Sequence, residues 1–423
     1  MLQHKRILLG VTGSIAAYKA CDIVQRFKEK GAEVRVLMTH SATNIIHPNA
    51  LATLSGHAVQ SHIWDGVSEG TMSHIETARW ADLFVIAPCT AHTLAELSTG
   101  LTGSPVSMTA LAYKGPMAIA PAMNTMMLTS APVQEHLGRL ASRGVHLLPT
   151  LDGNLACGEV GEGKLTTPEE IVAYADLILE GGGPEPGVSP APLAGKSVLI
   201  SGGHTEEPLD GVRFLSNRSS GKTAIALARA FRLAGAKVHL VLGRTGPLEG
   251  GTPNGVALTR VHTSEEFHAV LTASAHTADA VIMAAAIADF IPVLPADASG
   301  KAGTGKWKGS RERKQLELAP AVNILEALGR AKRAGQVLVG FALETENAID
   351  YGLAKMRARH CDLMVVNTPL SQAGLGFGED AVEAVVLAAP TAGREDAVLP
   401  VLRVQGKSEL AAEVVRRVAR VWV

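Results

Sequence analysis

KRILLGVTGSIAAYKACDIVQRFKEKGAEVRVLMT, residues 5–39, carries the reading of the fold. An apolar run, ILLGV, leads into a turn at Gly13 and Ser14. A helical stretch follows to Lys30, Gly31 caps it, and EVRVLMT (33–39) begins a second apolar strand. Strand, glycine turn, amphipathic helix, glycine cap and strand make a βαβ unit of a parallel sheet. The succession recurs from KSVLISGGHT (196–205). It passes through a long loop, a helix from about Lys222 to Ala234, Gly235 and the strand KVHLVLG (237–243). The halves share architecture but no sequence repeat.

Between them lies GGGPEPGVSPAPLAG (181–195). Its four Pro and five Gly show no hydrophobic periodicity, and such a stretch cannot offset the entropy cost of ordering it. The expected organisation is a domain at 1–180, a linker at 181–195 and a domain at 196–423. Further buried strands are expected at LFVIAP (83–88), MAIAP (117–121) and HLLPT (146–150). In the second half they fall at AVIMAAAI (280–287), VLVGFAL (337–343) and LMVVN (363–367). The fold class is α/β: two open parallel-sheet domains, the first flavodoxin-like or Rossmann-like, the second Rossmann-like. In such sheets ligands sit beyond the carboxyl ends of the strands, so the residues just after each strand are the informative ones.

Composition narrows the function. A hydrophobic fraction of 47% supports real cores and excludes wholesale disorder. Lys plus Arg number 39 against 40 for Asp plus Glu, so no global charge draws the chain to nucleic acid or a membrane surface. Cys21, Cys89, Cys157 and Cys361 form no CxxC pair, and reduced thiols in a cytoplasmic enzyme are the simpler reading. The first apolar run is short and broken by Gly10, Gly13 and Ser14, which reads as a buried strand rather than a targeting segment. No stretch of 18 apolar residues is free of charge or turn residues, so no membrane-spanning helix is expected.

In the first half, Gly13 and Ser14 can offer backbone N–H groups and a hydroxyl to a phosphate. A plain βα turn would look the same. GVTGS is not GxGxxG, and no acidic residue is placed for a dinucleotide ribose, so a mononucleotide is favoured over NAD. Thr39, Ser41, Thr90, Thr93 and Asn124 all follow strands, and together they suggest a ligand crevice. His74 stands near a helix start, where a lone His is more often structural. Cys157 lies in DGNLACGEVGEGKL, between Gly153, Gly158, Gly161 and Gly163. A thiol on a glycine flap can deliver a proton.

In the second half the loop at 201–228 ends in SSGK. The spacing is not that of a Walker loop, because Ser216 stands where a Gly is needed. Its backbone N–H groups and Lys222 can face an anion, and Asn217 can orient a polar substrate; helix capping by Ser219 or Ser220 is compatible with both. Asp289 follows a strand, a position suited to a metal–nucleotide contact. The basic loop KAGTGKWKGSRERK (301–314) reads as a lid over a triphosphate or as a nucleic-acid contact.

Taken together, these motifs resemble the bifunctional bacterial family of phosphopantothenoylcysteine decarboxylase / phosphopantothenate–cysteine ligases of coenzyme A biosynthesis. GVTGSIAAYK, His74 in HI, PCTAHT, PAMN with Met127 and ACGEVGEGK match the decarboxylase half. EPLDGVRFLSNRSSGK, AAAIADF, KWK, VGFALET and VVN followed by GF and Asp380 match the ligase half. The resemblance covers nearly the whole chain in the expected order.

It implies the following. FMN oxidises the substrate thiol to a thioaldehyde, an electron sink that lets CO2 leave. Gly13, Ser14, Thr39 and Thr90 bind the flavin; His74 assists at the flavin and substrate thiol, Asn124 holds the substrate carboxylate, and Cys157 protonates the enethiol. In the ligase, CTP with Mg2+ activates 4'-phosphopantothenate as an acyl-cytidylate, which the amine of L-cysteine attacks. Asn217 contacts that intermediate. Asp289, Lys306, Phe341, Lys355 and Arg359 contact CTP, with Val322, Asn323, Ile324 and Leu325 beside it. Lys306 is favoured over Lys308 as the catalytic lysine, and no metal ligand is assigned. Trimeric decarboxylase and dimeric ligase contacts imply a homo-oligomer, which could close into a dodecamer.

The chain also departs from the family. LTGSPVSM replaces ADNLL, and His92 replaces the Asn of TAN. GHTEEP replaces GGTREP, so Glu206 stands for a usual Arg; SSGKTA replaces SSGKMG, VVNT replaces VAND, and Arg359 stands for a usual Lys. The alternatives are a decarboxylase of peptidyl cysteine and a flavin-binding regulatory protein without catalysis.

Overall fold

The computed structural model describes residues 2–65, 73–155, 158–182, 192–246, 248, 251–294, 315–344, 347–368, 381–388 and 404–422. Cys157, Lys306, the basic loop 301–314, Asp380 and most of the 181–195 segment lie outside these. Two compact units divide the chain, with the main break at Ala194/Gly195; the short segments 232–235 and 253–255 group with the first unit.

The first unit is built on five strands: β1 (Arg6–Val11), β2 (Glu33–Met38), β3 (Leu83–Cys89), β4 (Met117–Pro121) and β5 (His146–Leu147). They form a wholly parallel sheet in the order β2-β1-β3-β4-β5. β3 is buried at every position, as a strand covered on both faces must be. Leu8, Phe84, Ile86, Ile119 and Val106 form the core on one side. A hairpin of β6 (Leu151–Asn154) and β7 (Val160–Lys164) follows. The helix expected directly after Ser14 begins instead as a 3-10 turn at Ile15–Lys19, and the α-helix runs over Ala20–Glu29.

The second unit contains β8 (Ser197–Gly202), β9 (Glu206–Pro208), β10 (Phe214–Ser216), β11 (Lys237–Leu242), β12 (Ala257–Arg260), β13 (Ala280–Met283), β14 (Phe290–Pro292), β15 (Leu318–Pro320), β16 (Val337–Leu343), β17 (Leu363–Thr368), β18 (Ala381–Ala388) and β19 (Val404–Gly406). Its main sheet has the order β12-β11-β8-β13-β16-β17-β18-β19. The run from β12 to β17 is parallel, and β18 and β19 add antiparallel at one edge. Both units are therefore doubly wound, and strand order reverses between β1 and β3 in one and between β8 and β13 in the other.

One device starts strands in both units. Asp82, just before β3, accepts from the Arg6 backbone N–H at 2.8 Å, and Asp82 N donates to Arg6 O at 2.8 Å. Asp279, just before β13, does the same with Ser197 N (2.8 Å) and Ser197 O (2.8 Å). Asp362, before β17, repeats it on Leu338 N at 2.7 Å and Leu338 O at 2.9 Å. Asp82 and Asp279 satisfy the first donor of the neighbouring strand and Asp362 the second, and each fixes register at the amino edge of the sheet.

Two strands end sooner than expected. The apolar run 280–287 leaves the ladder after Met283. Ser201 Oγ accepts from Ala285 N (3.3 Å) and Thr205 Oγ1 from Ala288 N (3.1 Å), and these side chains draw the segment across the sheet end. HLLPT stops at Leu147, two residues before Pro149, which has no N–H to offer a ladder.

Candidate functional site

In the first unit the polar residues gather where β1 and β3 part. Thr12, fully buried, donates to Pro88 O at 2.8 Å and accepts from Thr90 N at 3.0 Å, tying the two strand ends together. Gly13 is required by close approach: a Cβ there would lie 2.4 Å from Ser41 Cβ. Ser14 accepts from Ala16 N (3.4 Å), Thr39 from Ala42 N (3.3 Å) and Thr90 from Thr93 N (3.3 Å). Three hydroxyl-capped turns therefore open at one sheet edge, each presenting N–H groups there.

Asn124 stands on the same edge, because Ala122 N donates to Cys89 O (3.1 Å) and holds the end of β4 beside β3. Its Oδ1 accepts from Met126 N at 2.7 Å, and its Nδ2 donates to Glu159 Oε2 at 2.5 Å. Glu159 belongs to the turn of the β6–β7 hairpin, which is seated on the 123–125 segment. Met123 N donates to Gly163 O (3.0 Å) and Thr125 Oγ1 to Glu162 O (2.6 Å). Gly163 has φ +131°, and a Cβ on it would lie 2.2 Å from Met123 O. The glycine stretch is thus a docked hairpin rather than an irregular loop. Cys157 falls outside the described residues; on either side of it, Gly158 N donates to Leu155 O at 3.0 Å and Leu155 N to Glu159 O at 2.8 Å. His74 is half-buried in the helix Ser73–Trp80, and among the described residues its ring makes no hydrogen bond. Lys19, at the end of the Ile15–Lys19 turn, has its pKa lowered by burial and by Lys164.

In the second unit the site builds around the segment that leaves β13. Asn217 Nδ2 donates to Ala286 O (3.3 Å) and Ile287 O (3.2 Å), and Ser216 Oγ donates to Thr205 O (2.6 Å). Ala321 N donates to Asp289 O at 2.8 Å, which brings the 322–325 run beside Asp289. Asn323 caps the helix Ile324–Arg330 through Glu326 N (3.0 Å). Gly340 lets Leu325 close over β16 (a Cβ there would be 3.1 Å from Leu325 Cδ2), next to half-buried Phe341. Lys355 Nζ lies 3.4 Å from Glu344 Oε1, just past the carboxyl end of β16. Arg359 is ion-paired with Glu326 in the first turn of the helix Ile324–Arg330. Asn217, Asp289, Val322–Leu325 and Phe341 are thus brought to one edge, while Lys355 and Arg359 reach it through carboxylate partners.

Thr12, Glu159 and Glu344 were not singled out from sequence. Glu159 sits in the recognised ACGEVGEGK motif, but its partner lies 35 residues away, which no local pattern reveals.

Two doubly wound sheets on one chain, each with polar side chains gathered at its switch point, define an α/β protein of two units. Residues 193–421 match the family model for the C-terminal domain of the DNA/pantothenate metabolism flavoproteins, and residues 1–179 match the flavoprotein model. The coenzyme A biosynthesis bifunctional protein CoaBC of Vibrio parahaemolyticus is 35% identical over 379 residues, 90% of each chain. That of Bacillus subtilis is 37% identical over 381 residues, 90% of this chain and 89% of the other. A crystal structure of the C-terminal domain of a CoaBC protein is 29% identical, covering 54% of this chain and 97% of that one, with a TM-score of 0.41. The chain belongs to the family of bifunctional coenzyme A biosynthesis proteins. No helix among the described residues is long and apolar enough to cross a membrane.

Proposed function

We propose that the second unit couples 4'-phosphopantothenate to L-cysteine using CTP, and that the first decarboxylates the product to 4'-phosphopantetheine using FMN. The observation that carries this reading is Asn124, fixed by its cap and by Glu159, at the edge where Gly13, Ser14, Thr39 and Thr90 open their turns. An edge where three hydroxyl-capped turns present their N–H groups, drawn together by the close packing of Gly13 on Ser41, fits a flavin mononucleotide. FMN, when bound, supplies the two-electron oxidation and return that make a cysteinyl carboxylate able to lose CO2.

The chain's own residues then have separable tasks. Asn124 holds the substrate carboxylate, with its amide oriented by the Glu159 contact. His74 assists at the substrate thiol. Cys157, in the sequence between β6 and β7, gives a proton to the enethiol carbon after CO2 has left.

In the ligase, the pantothenate carboxylate attacks the α-phosphorus of CTP, a carboxyl–phosphate bond forms, and pyrophosphate leaves. The cysteine amine then attacks the acyl carbon and CMP departs. Asn217 orients the acyl-cytidylate. Lys306, Lys355 and Arg359 face phosphate charge, Phe341 and 322–325 line the nucleotide, and Asp289 contacts it. Among the described residues no group of three or more His, Cys, Asp or Glu could hold a metal. Mg2+ is commonly held by phosphate oxygens and water, and Asp289 is the candidate protein ligand here. The protein acts in the cytoplasm as a homo-oligomer, without nucleic acid.

The purified protein should be yellow, with the absorbance of oxidised flavin. Cys157→Ser should release CO2 yet fail to complete the return reduction, so that an enethiol-level product accumulates in mass spectra. Unchanged turnover by that variant would remove Cys157 from the mechanism.

A further inference from the structure

At the carboxyl ends of β8 and β11, three backbone segments interlock. His204 N donates to Arg244 O and Arg244 N to His204 O, each at 2.9 Å. A Cβ at Gly243 would lie 2.4 Å from His204 O, and one at Gly221 would lie 2.6 Å from Thr245 Cγ2. His204 Nδ1 donates to Ser219 O at 2.7 Å, since a carbonyl can only accept. This construction seats Arg244 beside the SSGK turn that begins the helix Lys222–Leu233. The Arg244 Nε donates to Glu206 Oε2 at 3.1 Å, and its side chain is 55% exposed against 21% for Glu206. Among the described residues, its two terminal nitrogens have no partner.

A guanidinium anchored through Nε presents its remaining nitrogens as a fork suited to phosphate. Glu206 fixes that guanidinium at the end of the strand beside the turn, which places a cation there. The nucleotide candidates all lie on the other side of β8, at β13 and β16. A substrate whose carboxylate meets the nucleotide near Asn217 has room for its opposite end on the β11 side of β8, where Arg244 stands. We infer that Arg244 binds the phosphate monoester of 4'-phosphopantothenate. This rests on the ligase reading above.

The test is CTP-dependent pyrophosphate release with 4'-phosphopantothenate and, separately, with unphosphorylated pantothenate. Arg244→Gln should raise KM for 4'-phosphopantothenate by about tenfold, the scale of one lost charge-assisted contact. It should also cut the preference for the phosphorylated substrate by a similar factor. KM for CTP should not move, and flavin-dependent decarboxylation should be intact. Arg244→Lys should fall between, because charge without a fork recovers part of the contact. An unchanged preference in Arg244→Gln overturns the inference, as does an equal rise in both KM values, which marks a loosened loop. A wild-type protein that releases no pyrophosphate overturns the ligase reading, and this inference with it.

Discussion

The amide of Asn124 is held at both ends, its oxygen by Met126 N and its nitrogen by Glu159. Such a group points one way at little entropic cost on binding, which is what substrate positioning needs. Other residues act on stability. His146 on β5 is 5% exposed, its Nδ1 has no partner among the described residues, and burial pushes its pKa down to about 4. The unfolded chain takes up a proton near the ordinary histidine value of about 6.5, while the folded one resists it. Stability is thus lost as pH falls from about 6.5 towards about 4, by an amount of order 3 kcal/mol. In urea titrations at pH 7.5 and pH 5, His146→Phe should flatten this slope for the first unit. Equal slopes in both proteins would contradict the assignment. Little of this was legible in sequence: HLLPT reads as a strand, but nothing local says that its histidine is buried without a partner.

At the scale of elements, the β6–β7 hairpin is docked on the 123–125 segment through a glycine framework. A side chain at position 163 would meet Met123 O and would also need φ +131°. Gly163→Ala should therefore lift the hairpin from Asn124 and lower decarboxylation by more than tenfold, leaving ligation unchanged; an assay of the two half-reactions on one preparation reads both. The hairpin's glycines and charges were visible, but its strand character was not, because LDGN and VGEGK lack apolar alternation. The reverse holds at β13. Its apolar run reads as one long strand, yet hydroxyls from Ser201 and Thr205, some 80 residues earlier, set its end. The strand-starting aspartates are a second shared element. Arg6 hydrogen-bonded to Asp82 and the Ser197 N–H hydrogen-bonded to Asp279 each hold the carboxylate below its usual range. Their contribution is present above about pH 4 and is lost as pH falls through the lowered values. Asp279→Asn should destabilise the second unit at neutral pH and make its acid unfolding shallower, as seen by circular dichroism against pH.

At the scale of the molecule, each unit was readable from its opening βαβ pattern, because parallel strands covered on both faces leave continuous apolar runs. The places where ligands are expected were readable too, as the polar residues that follow those runs. What could not be read were the long-range contacts that orient them: Glu159 on Asn124, Glu344 on Lys355 and Glu206 on Arg244. Two independent switch points on one chain permit two successive reactions, the product of ligation being the substrate of decarboxylation. The most direct test supplies the purified chain with 4'-phosphopantothenate, L-cysteine, CTP and Mg2+ and follows products by mass spectrometry. 4'-Phosphopantetheine should form, with CMP and pyrophosphate released in equal amounts and 4'-phospho-N-pantothenoylcysteine as a transient. Conversion that runs equally well with ATP would contradict the nucleotide assignment, and absence of both pantothenoyl products would contradict the account as a whole.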